Sequence, residues 1–258
     1  MVVSLPQVPV SMVDRIGVIL ETFNVDDPVL TGSEIARRTG LPKATVARIL
    51  VDLDRHDFVA HTESGYQIGM KCFELGERAQ QPKNLRRLAL ATMSDLRQAT
   101  GLTVQLGVLD GLDVVYIEIL RGKHRELRIP SRIGGRVPSY ATAGGKALLA
   151  HSAVEVQELV LSSVLTKIGP RTIVDPKELA AQLERTRREG IAYEVEESHV
   201  GLSCAASPIL RSDGTALAAI SITAPVGSVD MRIVGPAVHA ATLGLNRQVR
   251  ATPYWASL

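Results

Sequence analysis

Two short stretches of helical periodicity meet at Gly40-Leu41-Pro42, and this junction constrains what the chain can fold into more than any other feature. Ser11 to Phe23 reads as a first helix, with Met12, Ile16, Ile19, Leu20 and Phe23 spaced three and four apart on one face. Asn24 to Leu30 interrupts it with Asp26, Asp27 and Pro28. Thr31 or Ser33 then caps a second helix, with Glu34 in the first turn, where the helix dipole favours an acid. Ile35 and Ala36 turn inward, and Gly40 ends the helix because glycine tolerates the left-handed conformation of a C-terminal cap. Leu41 plugs the turn. Pro42 opens a third helix, where its missing amide costs nothing. Val46, Ile49, Leu50 and Leu53 form the buried side of that helix, leaving Lys43, Ala44, Thr45 and Arg48 on the other side near its start.

Two short helices around a Gly-Leu turn, the second exposing small and basic residues early, make a helix-turn-helix. Side chains near the start of the second helix reach base edges in the major groove, so double-stranded operator DNA is the expected partner. Lys43 and Arg48 suit phosphates or guanine edges, while Ala44 and Thr45 permit close approach or touch a thymine methyl. Phe58 to Thr62 and Tyr66 to Gly69 flank Glu63-Ser64-Gly65, a short hairpin in the position of a wing. The expected DNA-contacting set is Thr31, Ser33, Pro42, Lys43, Ala44, Thr45, Arg48, Gly65 and Tyr66. Bulk charge does not carry this reading: the first eighty residues hold eight Lys/Arg against eleven Asp/Glu, a net of −3. Locally, Thr31 to Arg48 has four bases (Arg37, Arg38, Lys43, Arg48) against Glu34 alone, so phosphates meet a small basic face.

Lys71 to Gln81 reads as a linker helix ended by Pro82, and Asn84 starts another, with Leu85, Leu88, Ala89, Thr92, Met93 and Leu96 in one stripe up to Gly101. The expected domains are 1–70, a winged helix-turn-helix; 71–82, the linker helix; and 83–258, a second domain. Beyond Gly101, Val104 to Leu109 and Val114 to Leu120 form a hairpin, and Gly134 to Thr142 is loop-like. Gly144-Gly145 leads into a helix at Lys146 to His151, and Glu155 to Leu161 and Pro176 to Glu189 are further helices. Ile191 to Glu196, Ala205 to Arg211 and Ala216 to Thr223 read as strands, and Asp230 to Arg250 as a closing helix. Hairpins and helices in separate runs give an antiparallel sheet packed with helices, an α+β domain.

This order, followed by Pro138-Ser139-Tyr140-Ala141-Thr142-Ala143-Gly144-Gly145-Lys146-Ala147, resembles the IclR family of bacterial transcriptional regulators. So do Gly190-Ile191-Ala192-Tyr193-Glu194-Val195-Glu196-Glu197, Gly201-Leu202-Ser203-Cys204-Ala205-Ala206-Ser207-Pro208-Ile209 and Ala218-Ala219-Ile220-Ser221-Ile222-Thr223-Ala224-Pro225. The eleven residues before Met12 fall outside the resemblance. It implies a GAF-like effector domain, a homodimer built through the DNA-binding part and often a dimer of dimers. It also implies repression of a neighbouring catabolic operon. The effector pocket it implies lies between one sheet face and the glycine-bearing loop, lined by Ala143, Gly144, Glu194, Cys204, Ser221 and Thr223. Glu194 stands where the family commonly has aspartate. Physically the set is coherent: Ser221 and Thr223 are two apart on a strand and face the same side. Amides at 143–145 opening a helix attract anions, so a small organic acid is the expected effector.

The bland alternatives are polar positions on a solvent-facing strand, a small buried thiol at Cys204 and a tight turn at Gly144-Gly145. Arg121 to Arg136 has six bases (Arg121, Lys123, Arg125, Arg128, Arg132, Arg136) against Glu126, and reads as a solvated basic loop. An enzyme is not expected. Ala143-Gly144-Gly145-Lys146 lacks the upstream glycine and following Ser/Thr of a phosphate loop, and the six histidines show no metal-ligand spacing. Cys204 with His199 could imitate a thiol nucleophile and base, at a spacing that proves no geometry. No cofactor or metal is expected. Two distant cysteines, no signal-peptide pattern and no apolar run long enough for a bilayer give a cytoplasmic protein. Two rival readings are an activator of the same family and an adaptor that kept the fold but lost DNA binding.

Overall fold

The computed structural model describes residues 11–124, 129 and 131–256, and the chain divides into two compact units, Met1–Lys83 and Asn84–Leu258. The residues before Ser11 and, in the basic loop, Arg125, Glu126 and Arg128 lie outside the described residues.

In the first unit, Ser11 caps α1 (Met12–Leu20) through a capping box with Asp14. Thr31, rather than Ser33, caps α2 (Gly32–Thr39), its hydroxyl accepting the Glu34 amide at 3.2 Å. Ser33 falls inside the helix as its second residue, two positions too late to serve. Gly40 closes α2 in the left-handed conformation at φ 70°, and its amide reaches the Ala36 carbonyl. Pro42 stands at the cap of α3 (Lys43–Arg55), one residue before its expected place, in extended backbone. Ile19, Ile35, Val46, Ile49 and Leu50, each at most 2% exposed, form the core of this unit. The wing is β1 (Val59–Thr62) against β2 (Gly65–Ile68), with Thr62 opposite Gly65.

The expected linker helix, Lys71 to Gln81, is shorter in the structure. α4 (Met70–Gly76) ends well before Pro82, and α5 (Gln80–Thr100) begins before it, so proline opens this helix instead of ending its predecessor. The reason is positional: in a first turn the proline nitrogen forfeits an amide that has no helical partner anyway.

The second unit is built on a six-stranded antiparallel sheet in the order β5-β4-β3-β8-β7-β6. The strands are β3 (Thr103–Asp110), β4 (Asp113–Leu120), β5 (Arg136–Pro138), β6 (Ala192–Val195), β7 (Leu202–Leu210) and β8 (Ala216–Pro225). The helices are α6 (Ala143–Leu149), α7 (Val154–Ser162), α8 (Pro176–Glu189) and α9 (Met231–Ala251). Two segments differ from the sequence reading. Part of the supposed loop at 134–142 is strand β5 and a single 3-10 turn, and Gly144-Gly145 lies inside α6, because Thr142 caps that helix by accepting the Gly145 amide. β7 starts three residues early, which puts Cys204 on a strand.

Strand alternation sorts the sheet into two buried faces. Val104 and Leu106 of β3, Ala205 and Ile209 of β7, and Ile220 and Ile222 of β8 pack with α5 and α9 through Leu85, Ala89, Met93, Val238 and Leu245. On the opposite face Cys204, Ala206 and Ala219 pack with Ala143, Ala147 and Leu148 of α6. Ser221 and Thr223 share that second face at 4% and 2% exposure, so they are not the solvent-facing polar positions of the bland alternative.

Candidate DNA-reading helix and effector cavity

α3 buries Val46, Ile49, Leu50 and Leu53, which leaves Lys43, Ala44, Arg48 and Val51 exposed on its far side and Thr45 half-buried. The electrostatics are narrower than the sequence count. Arg37 and Arg38 both bind Glu34, at 2.6 Å and 2.8 Å, and Arg38 also binds Asp27 at 2.9 Å. The two guanidiniums hold the Glu34 carboxyl down at about 2. Lys43 and Arg48 have no acidic partner among the described residues, so the uncompensated positive charge of this face comes from those two side chains.

The other expected DNA contacts have structural duties. Thr31 spends its hydroxyl on the α2 cap. Gly65 is buried, and a Cβ there would meet the Leu30 carbonyl oxygen at 2.5 Å. Tyr66 pairs its backbone with Leu30 at 2.8 and 2.9 Å and stacks its ring on His61. Gly65 and Tyr66 thus seat the wing, and Glu63 and Ser64 are its exposed tip.

In the second unit Ala143, Gly144, Glu194, Cys204, Ser221 and Thr223 all line one cavity of about 40 Å³, between the α6 face of the sheet and the start of α6. That volume holds a few water centres. Sequence reasoning missed Gln105, Tyr116, Ser131, Thr142 and Ser198, which complete the polar lining. Gln105 is the main omission. It is 3% exposed on β3, its Oε1 accepts the Ser221 and Thr223 hydroxyls at 3.2 and 3.1 Å, and its Nε2 donates to Ser131. A polar residue between Val104 and Leu106 in an apolar strand run was the available signal, and its pairing opposite Ser221 shows only in the sheet.

Glu194 is 1% exposed; its Oε2 accepts the Ala143 amide at 3.2 Å and its Oε1 accepts from the amide and hydroxyl of Ser198. Burial first, with the Glu197 charge adding to it, pushes its carboxyl up to about 7, against the pull of Ser198 and Lys146. The expectation that the 143–145 amides await an anion is corrected at two positions: Glu194 takes the Ala143 amide and Thr142 takes that of Gly145. No Lys or Arg lines the cavity among the described residues. Burial pushes the Cys204 thiol up as well, and its partner is the Thr223 hydroxyl at 3.3 Å, while His199 uses Nδ1 on the Val200 carbonyl. The thiol and the imidazole do not form the pair a nucleophile would need.

Behind the cavity Lys146, 1% exposed, donates to Glu197 at 2.6 Å and to Gln182 at 2.8 Å. Of the basic loop, Arg136 is tied to Asp110 and Arg121 to the Ser131 carbonyl. Among the described residues no group of acidic, histidine and cysteine side chains has the arrangement of a metal site, and no helix is long and apolar enough to cross a membrane.

Comparisons with known proteins agree with both halves of this description. Residues 12–63 match the model of the IclR helix-turn-helix domain, and residues 78–242 match that of the bacterial transcriptional regulator IclR C-terminal region. The HTH-type transcriptional regulator XynR of Escherichia coli is 34% identical over 224 residues, covering 86% of this chain and 88% of that protein. The transcriptional repressor IclR of the same organism is 32% identical over 202 residues, covering 76% and 73%. An IclR homologue from Microbacterium hydrocarbonoxydans, solved in complex with 4-hydroxybenzoate, superposes with a TM-score of 0.83 at 32% identity, over 94% of this chain and 100% of that one.

Proposed function

This chain belongs to the IclR family of bacterial transcriptional regulators, and on that footing we propose that it represses transcription from operator DNA under the control of a small organic acid bound in the Glu194 cavity. The observation that carries the effector reading is the convergence of Glu194, Cys204, Ser221, Thr223 and Gly144, distant in sequence, on one buried polar cavity. The 4-hydroxybenzoate held by the Microbacterium homologue supports a ligand of this class. With no cation in the lining, an acid can be held through a shared proton: Glu194, with its carboxyl near 7, donates to the ligand carboxylate.

The sheet supplies a short route for coupling. Gln105 faces the cavity, while its neighbours Val104 and Leu106 face α5, the helix that carries the chain across the boundary between the two units. A ligand that displaces β3 therefore presses on α5 through one layer of backbone. Regulation then requires only that the effector bind the DNA-competent state and the alternative state with different affinity. Catalysis forms no part of this function, and the protein acts in the cytoplasm.

A homodimer, doubling to a dimer of dimers, is supported by the exposed apolar side chains of Met12, Val13, Met70 and Phe73 in the first unit, at 47, 76, 67 and 65%. Light scattering on Phe73→Glu is expected to show a smaller particle than the parent.

The testing experiment is a gel-shift titration against the DNA upstream of the protein's own gene, at two salt concentrations, with a panel of organic acids that includes 4-hydroxybenzoate. A specific, salt-sensitive shift altered by one acid is the expected outcome. A shift that no acid alters sinks the effector reading; no specific shift on any promoter DNA revives the adaptor.

A further inference from the structure

Val51 is a β-branched apolar residue, 55% exposed in the middle of α3. Nothing about folding asks for it there: valine is a poorer helix former than alanine, leucine or lysine, and exposure gains no burial. Its angular position identifies what it faces. At about 100° per residue, Ala44, Arg48, Val51 and Arg55 fall within about 60° of one another, opposite the side that buries Val46, Ile49, Leu50 and Leu53. Arg55 is tied to Asp52 at 3.2 Å, whereas Arg48 has no acidic partner among the described residues. The stripe pointing straight away from the core thus runs from alanine through an uncompensated guanidinium to valine, with Lys43 beside its start.

Resting on the operator-binding reading, we propose that Ala44, Arg48 and Val51 read a subsite of about four base pairs in the major groove: Arg48 takes a guanine, and Ala44 and Val51 take thymine methyl groups on either side of it. The dimensions agree. Seven residues of helix rise about 10 Å, close to three base steps of about 3.4 Å. The major-groove edge of guanine offers two acceptors to one guanidinium, and the thymine methyl is the apolar feature exposed there. Charge decides for DNA over a second copy of the chain. A like surface would set Lys43 and Arg48 against their own kind, whereas phosphates on both sides of the groove attract them. Val51 is the further specificity residue on this account.

The test begins with selection of binding sites from random duplex DNA by the full-length protein. Uracil then replaces each thymine of the half-site in turn, which deletes the methyl and leaves every hydrogen bond of the pair. Two substitutions, separated by a guanine, are expected to weaken binding, each by about fourfold, as loss of one buried methyl implies. In Val51→Ala one of those penalties vanishes, in Ala44→Gly the other does, and Arg48→Ala loses the guanine preference. Because Val51 is exposed, its variant keeps the fold, and circular dichroism confirms that. Uracil tolerated at every position, or both penalties unchanged in Val51→Ala and Ala44→Gly, overturns the proposal while operator binding stands. Enrichment of no sequence at all overturns the operator-binding reading and this inference with it.

Discussion

Removing the Lys146 ammonium by Lys146→Met is expected to destabilise the second unit severely while leaving the first intact. Lys146 lies 2.6 Å from Glu197 and 2.8 Å from Gln182, with 1% of its surface exposed, and Glu197 is 6% exposed. Deleting one partner of a buried ion pair costs about 3–5 kcal/mol, because the other charge stays behind without compensation. The lower end applies here. Burial already pushes the Glu197 carboxyl above its ordinary value against the pull of Lys146, so without the lysine it takes up a proton rather than remain charged. The sign follows: the folded carboxyl then titrates higher than the unfolded one. The variant is most stable below the unfolded value and loses stability as pH rises through the folded one. The protein supplies its own probe. Trp255 is the single tryptophan, is 5% exposed in the core of the second unit, and makes urea unfolding by fluorescence specific to that unit. A loss under about 1 kcal/mol would refute the reasoning. So would a double variant, Lys146→Met with Glu197→Leu, that loses more than Lys146→Met alone, since apolar replacement of both partners is expected to recover most of the stability.

Three further expectations rest on different parts of the structure. Gly145→Ala places a Cβ 2.0 Å from the Ser139 carbonyl oxygen and should melt far below the parent by Trp255 fluorescence, whereas Gly144→Ala meets nothing within 4 Å, folds, and loses effector response because it fills the cavity. Glu194, with its carboxyl near 7 against an ordinary 4.5, contributes stability that is full below the unfolded value and is lost as pH rises through 7. The parent's melting temperature should therefore fall relative to Glu194→Gln across that window, and calorimetry should find an organic acid bound more tightly at pH 6 than at pH 8, a difference abolished in Glu194→Gln. Lys43→Ala should reduce the slope of log affinity against log salt by about one, while Arg37→Ala and Arg38→Ala should leave it nearly unchanged, because those charges are already spent on Glu34 and Asp27.

The parts legible in the sequence are those whose physics is local. Gly40, Pro42 and the apolar spacing of α3 state their roles within a few residues, so the helix-turn-helix could be placed to within one residue at its key turn. The cavity was legible by motif resemblance, and strand alternation alone put Ser221 and Thr223 on one side. What stayed hidden depends on partners far along the chain. Gln105 acquires its meaning only when β3 pairs with β8, more than a hundred residues later. Lys146 looks like a solvated helix lysine until Glu197 closes over it. The charge count around α2 overstated the basic face because ion pairing is a matter of geometry, not of composition. Pro82 misled for a similar reason: a proline stops one helix or starts another, and only packing decides which.

The measurement that bears most directly on the central claim is reciprocal coupling. The organic acid that alters the gel shift would be titrated into the full-length protein by calorimetry, with and without saturating operator duplex, and the operator affinity measured with and without the acid. Linked binding requires the two factors to be equal, and a regulator of this kind is expected to show about 5- to 150-fold in both. Equal effector affinity with and without DNA would contradict the account, however tightly either ligand binds.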